Sequence, residues 1–354
     1  MNTDNWRWQM QNAIVKLDDL LQHANLNEYQ KNWLKDNFSY QDLPFYITPY
    51  FVSLIKPIND CPIFKQVVSS DLENKQENFL LKDPLGEEVR QKVPYLVHRY
   101  QDRVLFLATD RCASYCRFCT RKRWVGQGPT PHKEDAQEAF LYIKEHTEIN
   151  EIIFSGGDPL VLSNERLDYL LQNAFSIPHI NFVRIHSRIL SFLPMRIDDG
   201  LLKIFSKYKP LYLVTHFNHY DEITDHTMQS IDKLLQAGVV LLNQSVLLQG
   251  INDSAETLKK LFTKLTKHRI KPYYLHQCDL INGSAHFRVP LKKSLEIYSQ
   301  LRGNISGICI PQFMIETPHG GGKIAINPNF ITKEDDNFIY LKGYDDKLEA
   351  YPKI

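Results

Sequence analysis

No run in this 354-residue chain approaches the length and apolarity of a membrane span. The first residues, Met-Asn-Thr-Asp-Asn-Trp-Arg-Trp-Gln, contain no apolar core of the kind a secretory signal needs. Neither sign of charge is in excess, since 42 Lys and Arg against 41 Asp and Glu leave a formal +1. That balance gives no electrostatic reason to expect a nucleic acid or an anionic membrane as partner. Low-complexity tracts and a strong internal repeat are also missing, which removes linker and solenoid readings. Cysteine is sparse at six residues, and there is no second C-x2-C pair. Structural zinc sites close at four ligands, usually from two such pairs, so that reading lacks half its ligands. What remains is an ordinary globular composition, 43% apolar and 23% charged, long enough to bury a large core. One barrel-sized domain with extensions, or two ordinary domains, would fit.

Three of the six cysteines fall in one short run, Thr109-Asp-Arg-Cys112-Ala-Ser-Tyr-Cys116-Arg-Phe-Cys119-Thr-Arg-Lys-Arg123. The spacing C-x3-C-x2-C supplies three thiolates, and a cubane [4Fe–4S] cluster has four irons. Cys112, Cys116 and Cys119 as metal ligands would anchor three irons and leave the fourth open to an outside molecule. A thioredoxin-like redox pair would leave one of the three thiols unused. Buried structural cysteines would be inert but have no reason to crowd into eight residues. An oxygen-labile cluster and unpaired thiols both point to a reducing cytoplasm.

Residues 1 to about 50 read as helical, with Trp8, Ile14, Leu17, Leu20 and Leu21 near a 3.6 period. From 51 to 95 the prolines at 57, 62, 84 and 94 interrupt any long element. Beyond Val104 short apolar runs alternate with amphipathic stretches. Strands are expected at 104–108, 151–154, 182–185, 211–214, 239–242 and 273–275. Helical faces lie between them, one ending near Gly238 and another capped by Ser254. Six strand–helix units in a row imply a curved parallel sheet, an open doubly wound sheet or a partial (β/α) barrel, and the expectation is the barrel. The polar motifs follow the strands, where such enzymes place their chemistry.

Two glycine motifs stand out. Ser155-Gly156-Gly157-Asp158-Pro159 follows a strand directly; it reads as a tight turn, or as backbone opened to a ligand with Asp158 offered to an ammonium. His319-Gly-Gly-Gly-Lys323 suggests a phosphate loop, but G-x-x-x-x-G-K-[ST] is not satisfied because Ile324 follows the lysine. A solvated loop, or a lysine that joins pyridoxal phosphate as an imine, are the other uses.

Taken in order, Arg99-Tyr100…Arg103, Cys112–Arg123, Ser155–Asp158, Thr215–His219, Asn243–Leu247, Cys278-Asp279-Leu280…His286-Phe-Arg288 and the Gly-Gly-Gly-Lys323 loop resemble the lysine 2,3-aminomutase family of radical S-adenosylmethionine enzymes. Trp6–Gln9 and Cys61-Pro-Ile63 are similar to that family's N-terminal segment, so the resemblance covers about residues 6 to 330. It implies an α/β fold, a partial (β/α)6-type barrel with an N-terminal helical extension. The division would be 1–95 extension, 96–330 barrel with the pyridoxal site, and 331–354 tail. It implies three cofactors: a [4Fe–4S] cluster, S-adenosyl-L-methionine and pyridoxal 5′-phosphate. Lys323 would be the catalytic lysine that carries the pyridoxal. Arg99, Tyr100 and Arg103 would hold its phosphate, a role two guanidiniums and a phenol suit. Gly156, Gly157, Asp158, His216 and Gln244 would contact S-adenosylmethionine.

For the substrate, the resemblance implies Arg121 on the carboxylate, bidentately, and Asp279 with a second acid on the terminal ammonium. The family has aspartate seven residues before the lysine, where this chain has Glu316, one methylene longer. His319 also stands where relatives have glycine, and no cysteine follows Lys323, so a C-terminal zinc segment is missing. The implied activity is a 1,2-amino migration converting L-α-lysine to β-lysine, an isomerisation started by a 5′-deoxyadenosyl radical. The implied partners are a small amino acid, an electron donor such as flavodoxin or ferredoxin, and a second copy of the chain in a homo-oligomer. The alternatives are a related aminomutase acting on arginine or on the lysine of elongation factor P, and a non-catalytic iron–sulfur or zinc protein. A glutamate-specific relative would be expected to lack Asp279 and Glu316.

Overall fold

All six expected strands form and run longer, the fifth beginning at Val240 rather than Val239. We number the strands of the sheet β1 (Gln91–Val93), β2 (Leu96–Tyr100), β3 (Arg103–Thr109), β4 (Glu151–Gly156), β5 (Phe182–Ser187), β6 (Leu211–Thr215), β7 (Val240–Leu247), β8 (Lys271–Gln277), β9 (Gln312–Thr317) and β10 (Gly322–Ala325). They come from a computed structural model that describes residues 4–353 apart from 76, 344 and 346. The first three residues of the expected extension and the last of the tail therefore lie outside the described residues.

The apolar runs form strands because both faces are covered: all six residues of β4 are buried. The helices between them begin where side-chain oxygens cap them. Ser163 accepts from Arg166 N, Thr224 from Thr227 N and Ser254 from Thr257 N, opening helices Asn164–Phe175, Asp225–Gln236 and Ala255–Lys267. Gly238, in the left-handed region at φ +80°, follows the end of the second of these.

Strand order in the sheet is the order in the chain, β1 to β10, with β3 through β9 parallel and the outer strands antiparallel. An unbroken order has no point of reversal, which excludes the doubly wound alternative and leaves a barrel. There are seven parallel strands, one more than expected: β9 carries Glu316. No backbone ladder joins the two edges among the described residues. The edges instead meet where the Lys323 N–H of β10 donates to the phenol of Tyr100 on β2 at 3.0 Å, and that is where the barrel stays partial.

The N-terminal extension is not one helical region. Its first 53 residues break into four short helices, Trp6–Gln11, Leu17–His23, Glu28–Asn37 and Pro49–Ser53, and Pro62–Val67 and Glu87–Arg90 follow. Ile14 is not helical; it pairs with Ile47 through two backbone hydrogen bonds, 2.8 and 3.0 Å, because the chain doubles back there. The extension shares one apolar core with the barrel and grips the cysteine loop. Thr48 N–H donates to Ser114 Oγ at 3.1 Å, and the wholly buried Arg117 donates to the Leu43 and Pro44 carbonyls. Arg117 also forms a two-pronged pair with Glu73, 2.7 and 3.0 Å, and Lys122 joins the same carboxylate at 2.9 Å. Burial would push the Glu73 carboxyl up, but Lys122 and Arg117 outweigh it and hold it below its ordinary 4.5. Removing one partner of a buried pair costs about 3–5 kcal/mol, so Arg117→Ala should lower urea-unfolding stability by that order. A lowered carboxyl stabilises above its unfolded value and the benefit is lost as pH falls. The difference between the two proteins should therefore be full at pH 6 and shrink below pH 4.5. An undiminished midpoint in the variant would remove the clamp.

The expected tail folds as well. Residues Ile331–Glu334, Phe338–Lys342 and Leu348–Pro352 make a separate antiparallel sheet of three strands.

Candidate active site

A cavity of about 700 Å³ opens inside the barrel, and every site residue named from the sequence lines it. Its wall is made by alternation. Along β5, Val183 and Ile185 are buried away from the cavity, while Phe182, Arg184 and His186 line it. The same period puts Leu242, Gln244 and Val246 of β7 and Tyr274 and His276 of β8 on the inside.

Cys112, Cys116 and Cys119 line the cavity from the loop after β3. All are unpaired as disulfides. Burial, then Asp158, pushes the Cys112 thiol well up, and burial, then Cys116, takes Cys119 to about 11. A metal would displace those protons and supply the missing positive charge. Among the described residues no three His, Cys, Asp or Glu side chains can hold one metal ion together. A zinc ion would need its sulfurs about 2.3 Å away, whereas a cubane gives each thiolate its own iron and takes a wider triangle. The three thiols on one wall fit a cluster with an open iron. Cys278 is buried beside them but does not line the cavity.

The glycines of the second motif serve the cysteine loop. Gly157 N–H donates to Thr109 O at 2.6 Å and Asp158 N–H to Arg111 O at 2.7 Å. Gly156 is at φ +120°, and a Cβ there would lie 2.5 Å from Thr109 O; one on Gly157 would lie 2.3 Å from Arg111 O. What demands glycine is therefore the neighbouring backbone, not a ligand alone. The buried Asp158 accepts from Leu160 N (3.0 Å), Ser187 Oγ (2.7 Å) and Arg188 N (2.7 Å). A carboxylate has about four acceptor positions, which leaves roughly one for an ammonium.

His216 and Gln244 touch through Nε2 atoms, and Gln244 Nε2 is 3.4 Å from His186 Nδ1. Burial, then Arg188 and Arg121, lowers His216 to about 3, so the imidazole is neutral. His186 Nε2 is buried without a partner, an unfilled hydrogen-bonding position on the cavity wall.

Glu316 stands between two cations. Oε1 is 2.6 Å from Arg99 Nη1 and Oε2 is 2.6 Å from Lys323 Nζ. Arg99 and Arg103 both lie over the Tyr100 ring, 4.7 and 3.9 Å from its centre. Asp279 is raised to about 7, first by burial and then by Glu316, against the pull of Lys323, Arg288 and Arg99. An acid whose ionisation burial opposes suits a cationic guest.

Arg121 is the residue whose setting departs furthest from expectation. Its Nε and Nη2 are already paired with Glu87, and its Nη1 donates to Ser155 Oγ and Gly156 O. Glu87 was not legible in the sequence, nor were Arg184, His186, Tyr274 and His276 on the inner wall. The buried Arg188 was missed as well: its Nη1 is 2.8 Å from Cys116 Sγ and its Nη2 3.0 Å from Glu222.

A radical S-adenosylmethionine superfamily model matches residues 106–262, the stretch with the cysteines and inner strands. A model described as lysine-2,3-aminomutase matches residues 298–353. The chain is 42% identical to the L-lysine 2,3-aminomutase of Bacillus subtilis over 99% of its own length and 74% of that protein's. The chain belongs to the lysine 2,3-aminomutase family. The L-lysine 2,3-aminomutase of Methanococcus maripaludis is 41% identical, over 98% of this chain and 82% of its own. The glutamate 2,3-aminomutase of Clostridioides difficile is 36% identical, with the same coverage. The solved structure of Streptococcus suis SuiB bound to S-adenosylmethionine has a TM-score of 0.47 and 12% identity over 63% of this chain and 52% of that one, and nothing rests on it. The aminomutase match reaches past residue 330, so the three-stranded C-terminal sheet lies within the family's own C-terminal region. This is an isomerase family that works with a [4Fe–4S] cluster, S-adenosylmethionine and pyridoxal phosphate on a small amino acid.

Proposed function

We propose that the enzyme is an L-lysine 2,3-aminomutase, converting L-α-lysine to β-lysine. The observation that carries the substrate is the acidic part of the cavity lining, where half-buried Asp279 and buried Glu316 stand beside Lys323. When bound, the cluster and S-adenosylmethionine supply a hydrogen-abstracting radical, and pyridoxal phosphate supplies the carbonyl that carries the migrating nitrogen. The protein's own groups do the placing. Cys112, Cys116 and Cys119 would ligate the cluster, while Gly156, Gly157, Asp158, His216 and Gln244 would border S-adenosylmethionine. Arg99, Tyr100 and Arg103 would take the phosphate, Arg99 letting go of Glu316 as it does so. Lys323 would hold the pyridoxal and then release it to substrate. Arg121 receives the substrate carboxylate at one end and Asp279 with Glu316 the ammonium at the other. Substrate fixed at both ends turns one carbon toward the radical, and orientation of that kind is worth several orders of magnitude. His216, held neutral, adds no competing positive charge.

The cluster also needs a one-electron donor of the flavodoxin or ferredoxin type and a reducing cytoplasm. Self-association through the C-terminal sheet is supported by the exposure of Ile331, Phe338, Leu348 and Tyr351 on it. No helix of the described residues is long and apolar enough to cross a membrane.

The deciding assay is anaerobic, with reconstituted cluster, pyridoxal phosphate, S-adenosylmethionine, dithionite and L-lysine. Chromatography and mass spectrometry should find β-lysine over many turnovers with little net loss of S-adenosylmethionine. 5′-Deoxyadenosine without β-lysine would mean a working radical site with another substrate, and would sink the lysine reading.

A further inference from the structure

We propose that Glu87 is a positioning residue for the substrate carboxylate: it holds the Arg121 guanidinium so that one N–H, not two, faces the substrate. The inference rests on the reading of Arg121 as the carboxylate site and changes what that site offers.

A guanidinium has five N–H donors. In Arg121 the Nε donor goes to Glu87, 3.0 Å from both oxygens, and one Nη2 donor goes to Glu87 Oε1 at 2.7 Å. The two Nη1 donors go to Ser155 Oγ and Gly156 O, each at 3.1 Å. Four are spent inside the protein, and the last, on Nη2, is what a carboxylate in the cavity can use. The fork-to-fork embrace expected from the sequence is already made, with Glu87 as the carboxylate.

Glu87 is buried and lines the same cavity. It is itself steadied by Arg123, whose Nη2 lies 3.2 Å from Oε2 and which also pairs with Asp83 and Glu88. An unrestrained arginine gives up much rotamer freedom on binding; here that freedom is lost during folding, before substrate arrives. The strap bearing Glu87 is also pressed against the loop bearing Lys323. A Cβ on Gly86 would lie 2.9 Å from the His319 carbonyl, and one on Gly320 would lie 2.7 Å from Leu85 O. One segment thus sets the spacing between the anchor for the substrate carboxylate and the lysine that serves its amine. Those two groups sit on the same substrate carbon.

The test compares L-lysine with L-lysinamide, which keeps both amines and loses the carboxylate charge. Binding is followed by the absorbance change of the pyridoxal-loaded full-length enzyme without S-adenosylmethionine, so no turnover is required. The unaltered enzyme should prefer lysine. In Glu87→Gln and Glu87→Asp the lysine dissociation constant should rise about 10- to 100-fold, the scale of a misplaced anchor. Lysinamide binding should stay within about twofold, which also certifies that each variant is folded. Lysine affinity left intact in both variants, or an equal loss for both ligands, would overturn the positioning role. No preference for lysine in the unaltered enzyme would instead remove Arg121 as the carboxylate site, and the proposal with it.

Discussion

Lys323→Ala should yield a folded protein that no longer retains pyridoxal covalently and turns over at least about 10³-fold more slowly, the order seen when a covalent group is deleted. The fold should survive because the lysine side chain is about one-third exposed and its one strong partner is Glu316. Glu316 keeps Arg99 when the amine is gone, so no buried charge is stranded. The backbone N–H to Tyr100 is unaffected by the side chain. Borohydride treatment followed by peptide mass spectrometry should place the pyridoxyl group on Lys323 in the unaltered enzyme and nowhere in the variant. A label found on another lysine, or activity close to normal, would remove Lys323 from its role.

Asp279→Asn should raise the KM for lysine by the equivalent of about 2–5 kcal/mol, the usual loss when one member of a buried charged contact is truncated. The pH profile gives a sharper signature. With its carboxyl raised to about 7, Asp279 is largely protonated at pH 6 and largely ionised at pH 8 in the substrate-free enzyme. A cationic guest prefers the ionised form, so binding must expel a proton below pH 7 and need not above it. The KM for lysine should therefore fall as pH rises, by up to tenfold per unit below pH 7, and level off above it. The asparagine variant should lose that slope. A slope that persists in the variant would remove Asp279 as its source.

The parts of this site that could be read before folding share one property: their meaning is local. Cys112, Cys116 and Cys119 declare themselves through spacing, and Gly156 and Gly157 through the strand before them. Lys323 does so through the glycines in front of it. Glu87 has no such context. It is one acid among many, 34 residues from the arginine it holds, and only the turn at Gly86 brings it there. His186 and His276 were silent for another reason. Each follows an apolar neighbour in a strand, and alternation shows which residues share a face without showing which face encloses the cavity. Strand β9, Gln312-Phe-Met-Ile-Glu-Thr317, was overlooked because the acid that belongs in the cavity makes it look like an exposed segment. That the Arg121 donors are already engaged by Glu87, Ser155 and Gly156 could be seen only in the folded chain. The division of the N-terminal region into four short helices has a similar cause, since loops and helix ends there are set by contacts with the barrel.

The contact between Tyr100 and Lys323 spans 223 residues of chain. At ~5–20 residues per second of translation, the phenol leaves the ribosome roughly 10–45 s before the lysine that meets it. Late in that interval the nascent chain has its cysteines and most of its barrel strands, yet neither β10 nor Lys323 to meet the phenol. The contact that brings β2 and β10 together is therefore among the last parts of the sheet to be made, and a chain interrupted before Lys323 lacks it.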